Sequence, residues 1–266
     1  MRQEMSGVTQ RYISKELIHF VGRGLKEDEQ YKRLIHIIQS GWLTHPPHNP
    51  NISGNLNVNP NAKISKNEMY SPQVICFCDI PTEDLSLHVK KYSPFGLSFS
   101  KDFISKNGGS PVHYISQKSK VRVIKKIETK DMEELFKEGK GIEAFFDHID
   151  KGEYFDKMMV EYHDLFQMFR KMIMDNSKVA GVPPEHSRLM DLERFLSFHI
   201  FSYFKFFDHS LNDEHQDNYY FEREWRAVGN IQFSIEDIKT VFLPEKYGMQ
   251  FRKDLPDYYS QLIFMD

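Results

Sequence analysis

The stretch 219-YYFEREWRAVGN-230 places Glu222, Glu224 and Arg226 at alternate positions. Read as a strand, it puts those three side chains on one face and Phe221, Arg223, Trp225 and Ala227 on the other. Neighbouring carboxylates repel, so the pair needs either a neutralising cation at a solvated face or a task that uses its charge. Paired carboxylates can stabilise developing positive charge and orient an attacking group. Two other segments offer matching chemistry. The run 95-FGLSFS-100 sets Ser98 and Ser100 on one side of a predicted strand, and 16-ELIHFVGRG-24 carries His19, Phe20 and Arg23 at the end of another. Each segment also has a plain structural reading. The glutamates would be a solvated face balanced by Arg226, and the serines the exposed side of an amphipathic strand. His19 would be a hydrogen-bonded core histidine between Ile18 and Phe20, and Arg23 would close a turn.

Strands and helices must aim these residues. Residues 16–24 read as a strand entering a turn at Gly22 and Gly24. Tyr31, Leu34, Ile35, Ile37 and Ile38 give 27–43 the one-sided pattern of an amphipathic helix, with Gly41 as its C-cap. The Pro- and Asn-rich 44–72 has no periodicity and reads as a long loop. A strand at 73–81 and a helix at 82–92, N-capped by Thr82, come next. Then follow a strand at 95–100, a short helix at 101–106 and a strand at 111–116. From about 123 to 209 the pattern is mostly helical, and the Met and aromatic stripes of 154–174 and 188–207 read as helix–helix core. Strands return at 219–229 and 238–244, with an edge strand within 256–266. This is one α+β domain, 1–266, with a mostly helical insertion at about 124–210.

Composition narrows the function classes. The net charge of −3 supplies no global field for nucleic acid, so such a site would need a local basic patch. Basic, aromatic-interleaved 118-KSKVRVIKK-126 and 201-FSYFKFF-207 are the candidates, although the first is most simply a strand with a solvated basic face. The two cysteines, Cys76 and Cys78, suit a reduced, cytoplasmic protein without a disulfide. The longest lipophilic run, 195–207, is interrupted by His199 and Lys205 and is too short to span a bilayer. There is no phosphate-loop motif, no dinucleotide fingerprint, no serine-hydrolase elbow and no metal-ligand spacing among the twelve histidines.

The order of the three segments resembles the signature strands of the ADP-ribosyltransferase superfamily: a strand with His or Arg, an S-x-S strand and an E-x-E strand. The opening His19 followed by 34-LIHIIQSG-41 is similar to DarT-like nucleic-acid ADP-ribosyltransferases. The words 14-SKELIHFVGRG-24, 73-QVICFCDIP-81, 93-SPFGLSFSKDF-103 and 220-YFEREWR-226 further resemble the AbiGi-type abortive phage-resistance proteins, from the N-terminus to about residue 245. The first resemblance implies a split α+β sheet and transfer of ADP-ribose from NAD. Glu224 would stabilise the oxocarbenium-like ribose, and Glu222 would orient the acceptor. Ser98 would position the nicotinamide ribose and steady Glu224. His19 or Arg23 would fill the first-strand role, with Phe20 and Ser100 also binding cofactor and loop 44–72 covering it. The serine and glutamate pairs favour the Arg-Ser-Glu subclass, whereas the helical insertion belongs to neither pattern. The implied partners are a macromolecular acceptor, RNA or DNA among them, and a cognate toxin or antitoxin. The alternative is a non-catalytic antitoxin or sensor.

Overall fold

The computed structural model describes residues 14–265, except 46–47, 52–54, 127–128, 140–141, 178–180, 213–214 and 216–217. The first 13 residues of the stretch over which the AbiGi-type resemblance was read lie outside them. The chain divides into two compact units. One comprises Met1–Leu56, Pro72–Val112 and Asp213–Asp266; the other comprises Asn57–Ser71 and His113–Asn212.

The elements that matter are, in chain order, β1 (Glu16–Phe20), α1 (Glu27–Ser40), β2 (Val74–Cys78), α2 (Ser86–Lys91), β3 (Gly96–Ser100), α3 (Lys101–Lys106) and β4 (Ser110–Pro111). They continue with α4 (Lys151–Asp175), α5 (Pro184–His199), β5 (Glu224–Val228), β6 (Ile238–Leu243), α6 (Gly248–Asp254) and β7 (Gln261–Phe264). Seven strands form the sheet of the first unit in the order β7-β6-β3-β1-β2-β5-β4. Neighbours are antiparallel except β6 and β7.

Both faces of this sheet are covered. Leu17, Leu97, Phe99, Ile75, Phe77, Ala227 and Val241 pack on one side with Tyr31, Leu34, Ile37 and Ile38 of α1. Ile18, Cys78 and Phe242 pack on the other with Leu85 and Val89. Burial on both faces explains why 17-LI-18 is apolar at successive positions instead of alternating. Helix α1 begins with Glu27, Asp28 and Glu29, where the helix dipole favours acids. It ends at Gly41, whose φ of 68° lets its N–H reach the carbonyls of Ile37 and Ile38.

In the second unit, α4 and α5 accompany two short ladders: 120–124 antiparallel to 146–150, and 113–116 parallel to 204–207. The expected helical run is therefore interrupted by strands. The expected loop 44–72 likewise contains short strands at 56–58 and 70–72. Thr82 starts a 3-10 turn instead of capping a helix. The expected strand at 111–116 is two strands, 110–111 and 113–116, in different ladders. The strand expected over 219–229 begins only at Glu224.

Candidate functional site

Arg223 breaks the glutamate motif. Its backbone turns left-handed, at φ 45°, so Tyr220–Glu222 closes a 3-10 turn and β5 starts afresh at Glu224. Glu222 and Glu224 consequently do not share a strand face. They are 5% and 7% exposed, which rules out the solvated-face reading. Each carboxylate has its own cation. Glu224 accepts from Arg226 Nε at 2.6 Å and from Nη2 at 3.3 Å. Glu222 accepts from Lys91 Nζ at 2.7 Å and from the Tyr92 hydroxyl. Lys91 also lies 4.9 Å from the centre of the Tyr219 ring and 5.4 Å from that of Phe221. Burial, and next the Glu222 carboxylate, push the Tyr92 hydroxyl well above the usual phenol range, so it stays protonated and donates.

The serines do not meet the glutamates. Registers place Ser98, Ile18, Cys78 and Glu224 in one row across β3, β1, β2 and β5. Three strand spacings separate Ser98 from Glu224, about 14 Å. Ser98 is wholly buried instead of exposed; its hydroxyl donates to the Glu16 carboxylate, which also accepts from Thr240 at 3.1 Å. Ser100 caps α3, accepting from the Phe103 N–H at 3.1 Å. The expected contact between Ser98 and Glu224, and with it the serine half of the Arg-Ser-Glu pattern, is corrected by this topology.

His19, Phe20 and Arg23 do come together. They line a cavity of about 430 Å³ in the first unit, with Arg33 of α1, Thr44, His45 and His48 from the following segment, and Cys76 of β2. Gly22 makes the turn that carries Arg23. Its φ is +82°, and a Cβ there would stand 2.8 Å from Gln30 Cγ. The Gln30 amide locks that turn by donating to the carbonyls of Gly22 and Leu25 at 3.2 and 3.1 Å. Arg23 sits 5.1 Å over the Tyr92 ring, a cation–π contact. His19 Nδ1 lies 2.9 Å from the Cys76 carbonyl, which only accepts, so the proton is on Nδ1 and Nε2 is left as an acceptor. Burial lowers the His19 pKa. It also lowers that of His48, helped by the Arg33 charge and by His45 and His36. No carboxylate is among the lining residues, and His45 Nδ1 is buried without a partner among the described residues. Such a wall suits an anion with a sugar hydroxyl beside it.

Glu224 is close to this wall. Its register partner is Cys78, so cavity-lining Cys76 is its diagonal neighbour on the same face, about 7–8 Å away. Neither cysteine forms a disulfide among the described residues, and burial, with Glu222 and Asp79 nearby, pushes the Cys78 thiol up to about 12. On that face, Phe20 stacks on His88 and Tyr92, and Phe221 meets His88 edge-on. His88 is 2% exposed, and neither ring nitrogen has a hydrogen-bond partner among the described residues.

Sequence reasoning missed Arg33, Lys91 and Tyr92, which carry no motif. It also missed His45 and His48, for which the paired spacing across 45-HPPH-48, shortly after a helix, was the available signal. In the two candidate nucleic-acid segments most of the basic groups of 118–126 are paired with carboxylates and part of the aromatic area of 201–207 is buried. Lys118, Lys120, Arg122 and Lys125 pair with Asp208, Asp150, Glu143 and Asp147. Tyr203 and Phe206 are buried, the latter against Phe155. Among the described residues no cluster of His, Cys, Asp or Glu could hold a metal ion, and no helix is long and apolar enough to cross a membrane.

The sequence model of one family, described as putative abortive phage resistance protein AbiGi, antitoxin, matches residues 53–252. No curated protein and no solved structure matches the chain.

Proposed function

Because the chain belongs to the AbiGi family of putative abortive phage resistance proteins, we propose that it acts in that response as an NAD-dependent ADP-ribosyltransferase on a split α+β sheet. The observation that carries this reading is the cation-lined cavity at the end of β1, with Glu224 one diagonal from its wall. Arg23 and Arg33 neutralise the dinucleotide's pyrophosphate. His19 accepts a ribose hydroxyl at Nε2. The bond between ribose C1 and the nicotinamide nitrogen breaks, and its electron pair leaves with nicotinamide. Glu224, oriented by Arg226, stabilises the cationic ribose until the acceptor's nucleophile bonds to C1 and releases its proton to water. Glu222 takes no part in transfer here. With Lys91 and Tyr92 it holds the turn from which β5 starts. His19 and Glu224 stand on strands flanking β2 but project to opposite faces of the sheet, His19 with Leu17 and Phe77 and Glu224 with Ile18 and Cys78. The ribose therefore has to reach round the end of β2 near Cys76, and the reading no longer needs Ser98 or Ser100.

A second reading is favoured by the pairing of both glutamates: a carboxylate already satisfied by an arginine is also what a non-catalytic antitoxin or sensor would contain. The family description includes the word antitoxin, which implies a cognate toxin as partner. One experiment separates the two. Adenylate-labelled NAD is incubated with cell protein, RNA and DNA, using wild type and Glu224→Gln. Label that enters one fraction and falls by at least 100-fold in the variant supports the transferase and names the acceptor class. No label from wild type, with protection from phage retained by Glu224→Gln, leaves the interaction protein.

A further inference from the structure

Helix α4 was expected to bury its Met and aromatic stripe, and it buries only part of it. Met159 and Phe166 point into the unit, whereas every residue from Gln167 to Met172 is exposed. Met158, Leu165, Met168, Phe169 and Met172 are each 40–53% exposed. At 100° per residue these five fall within one arc, which the exposed Glu161 interrupts, with 158, 165 and 172 in heptad register; Val160 and Met174, 51% and 43% exposed, lie on the other side of the helix. The stripe runs about 21 Å along the helix. On the packed neighbour α5, joined by Arg170 Nε donating to His186 Nε2 at 3.3 Å, Leu192 and Phe195 are also exposed, but helical spacing from His186 turns them away from α4, so the stripe stands alone. Monomers rarely leave such a surface uncovered.

The charges beside the stripe specify what covers it. Asp164 and Lys171 occupy the same heptad position one repeat apart, both exposed, and neither forms an ion pair among the described residues. Two copies of α4 laid antiparallel about a two-fold axis near residues 167 and 168 set Leu165 against Met168 and Phe169 of the other copy. The same axis sets Asp164 of each opposite Lys171 of the other, so the ion pair forms twice. A parallel pair would place Asp164 beside Phe169 and waste both charges. We propose that α4 is a self-complementary, antiparallel dimerisation helix, and that its occupant is α4 of a second copy of this chain.

Sedimentation of the full chain between about 1 and 100 µM tests this. The expected result is a concentration-dependent dimer. Phe169→Glu, a change at an exposed site, should weaken it by at least 100-fold while the far-ultraviolet circular dichroism stays unchanged. Asp164→Lys and Lys171→Asp should each weaken the dimer about tenfold or more, and the double swap should restore it. A monomeric wild type overturns the proposal, even if the stripe then captures a different protein. So does a dimer indifferent to Phe169→Glu, or a double swap that fails to recover association.

Discussion

At the scale of single residues, the first unit keeps polar groups buried and mostly satisfies them in pairs. Glu16 takes donors from Ser98 and Thr240, Glu224 takes Arg226, and Glu222 takes Lys91 and Tyr92. None of this was legible from the 222–226 spacing, because alternation says which way a side chain points only after the strand's start is known. His88 breaks the rule, with both ring nitrogens unpartnered among Phe20, Tyr92 and Phe221. Burial, with the Lys91 charge adding to it, lowers its pKa from 6.5 to about 4. The unfolded chain takes up this proton near pH 6.5 and the folded chain only near pH 4. Unfolding therefore binds a proton between those values, and stability falls as pH falls. The loss should approach about 3 kcal/mol by pH 4 and then level off, with the full stability present above pH 6.5. Denaturant unfolding of His88→Phe should show that slope flattened. It should also show a gain of about 1 kcal/mol or more at pH 7, since two unsatisfied nitrogens leave a cage that suits a ring. An unchanged acid slope would mean that other groups carry it.

At the scale of elements, the segments that combine a strong pattern with a chemical stop were legible. Helix α1 has acids in its first turn and glycine after its last, and the strand–helix junction at Ser100 has a serine that caps. The break before β5 had no such mark. A left-handed residue is usually Gly or Asn, and here it is Arg223, so 219–229 read as one strand. The turn it makes divides the glutamates between two environments, Lys91 and Tyr92 for one and Arg226 for the other. Backbone strain at this residue can be isolated by comparing two variants that both lose the arginine side chain. Arg223→Gly relieves the left-handed strain, and Arg223→Val aggravates it with a branched Cβ. The valine variant should be less stable by about 1–2 kcal/mol in urea unfolding. Equal stabilities would show that the turn relaxes without cost. The stripe of α4 shows the opposite failure: its periodicity was read correctly, but periodicity does not say whether a partner belongs to the same chain.

At the scale of the whole molecule, the cavity was the least legible feature, because its walls come from four separate stretches, 19–23 with 25, 33 with 37, 43–45 with 48, and 74–76. Only the sheet order, which sets β2 beside β1, brings those stretches together. The chain's net charge of −3 does not draw anions to it, so affinity has to come from the local cations Arg23 and Arg33 and from His48, which a bound anion helps to protonate. His19 and His48 are held below their usual pKa by burial, and His48 also by the neighbouring Arg33. A bound pyrophosphate would favour the protonated form of His48 while His19 stays neutral to accept the ribose hydroxyl, so binding should take up a proton at His48 and tighten as pH falls. A ligand at about 100 times its Kd adds about 2.7 kcal/mol to the folded state. In a chain of this size that corresponds to roughly 2–4 °C of Tm for each kcal/mol. NAD should therefore raise Tm by several degrees, more at pH 6 than at pH 8. Arg23→Gln combined with Arg33→Gln should abolish the shift without lowering Tm in the absence of NAD. A shift of equal size at both pH values would place the anion away from His48. A shift that survives loss of both arginines would place the dinucleotide outside this cavity, and Glu224 would then lose the neighbour on which its proposed role depends.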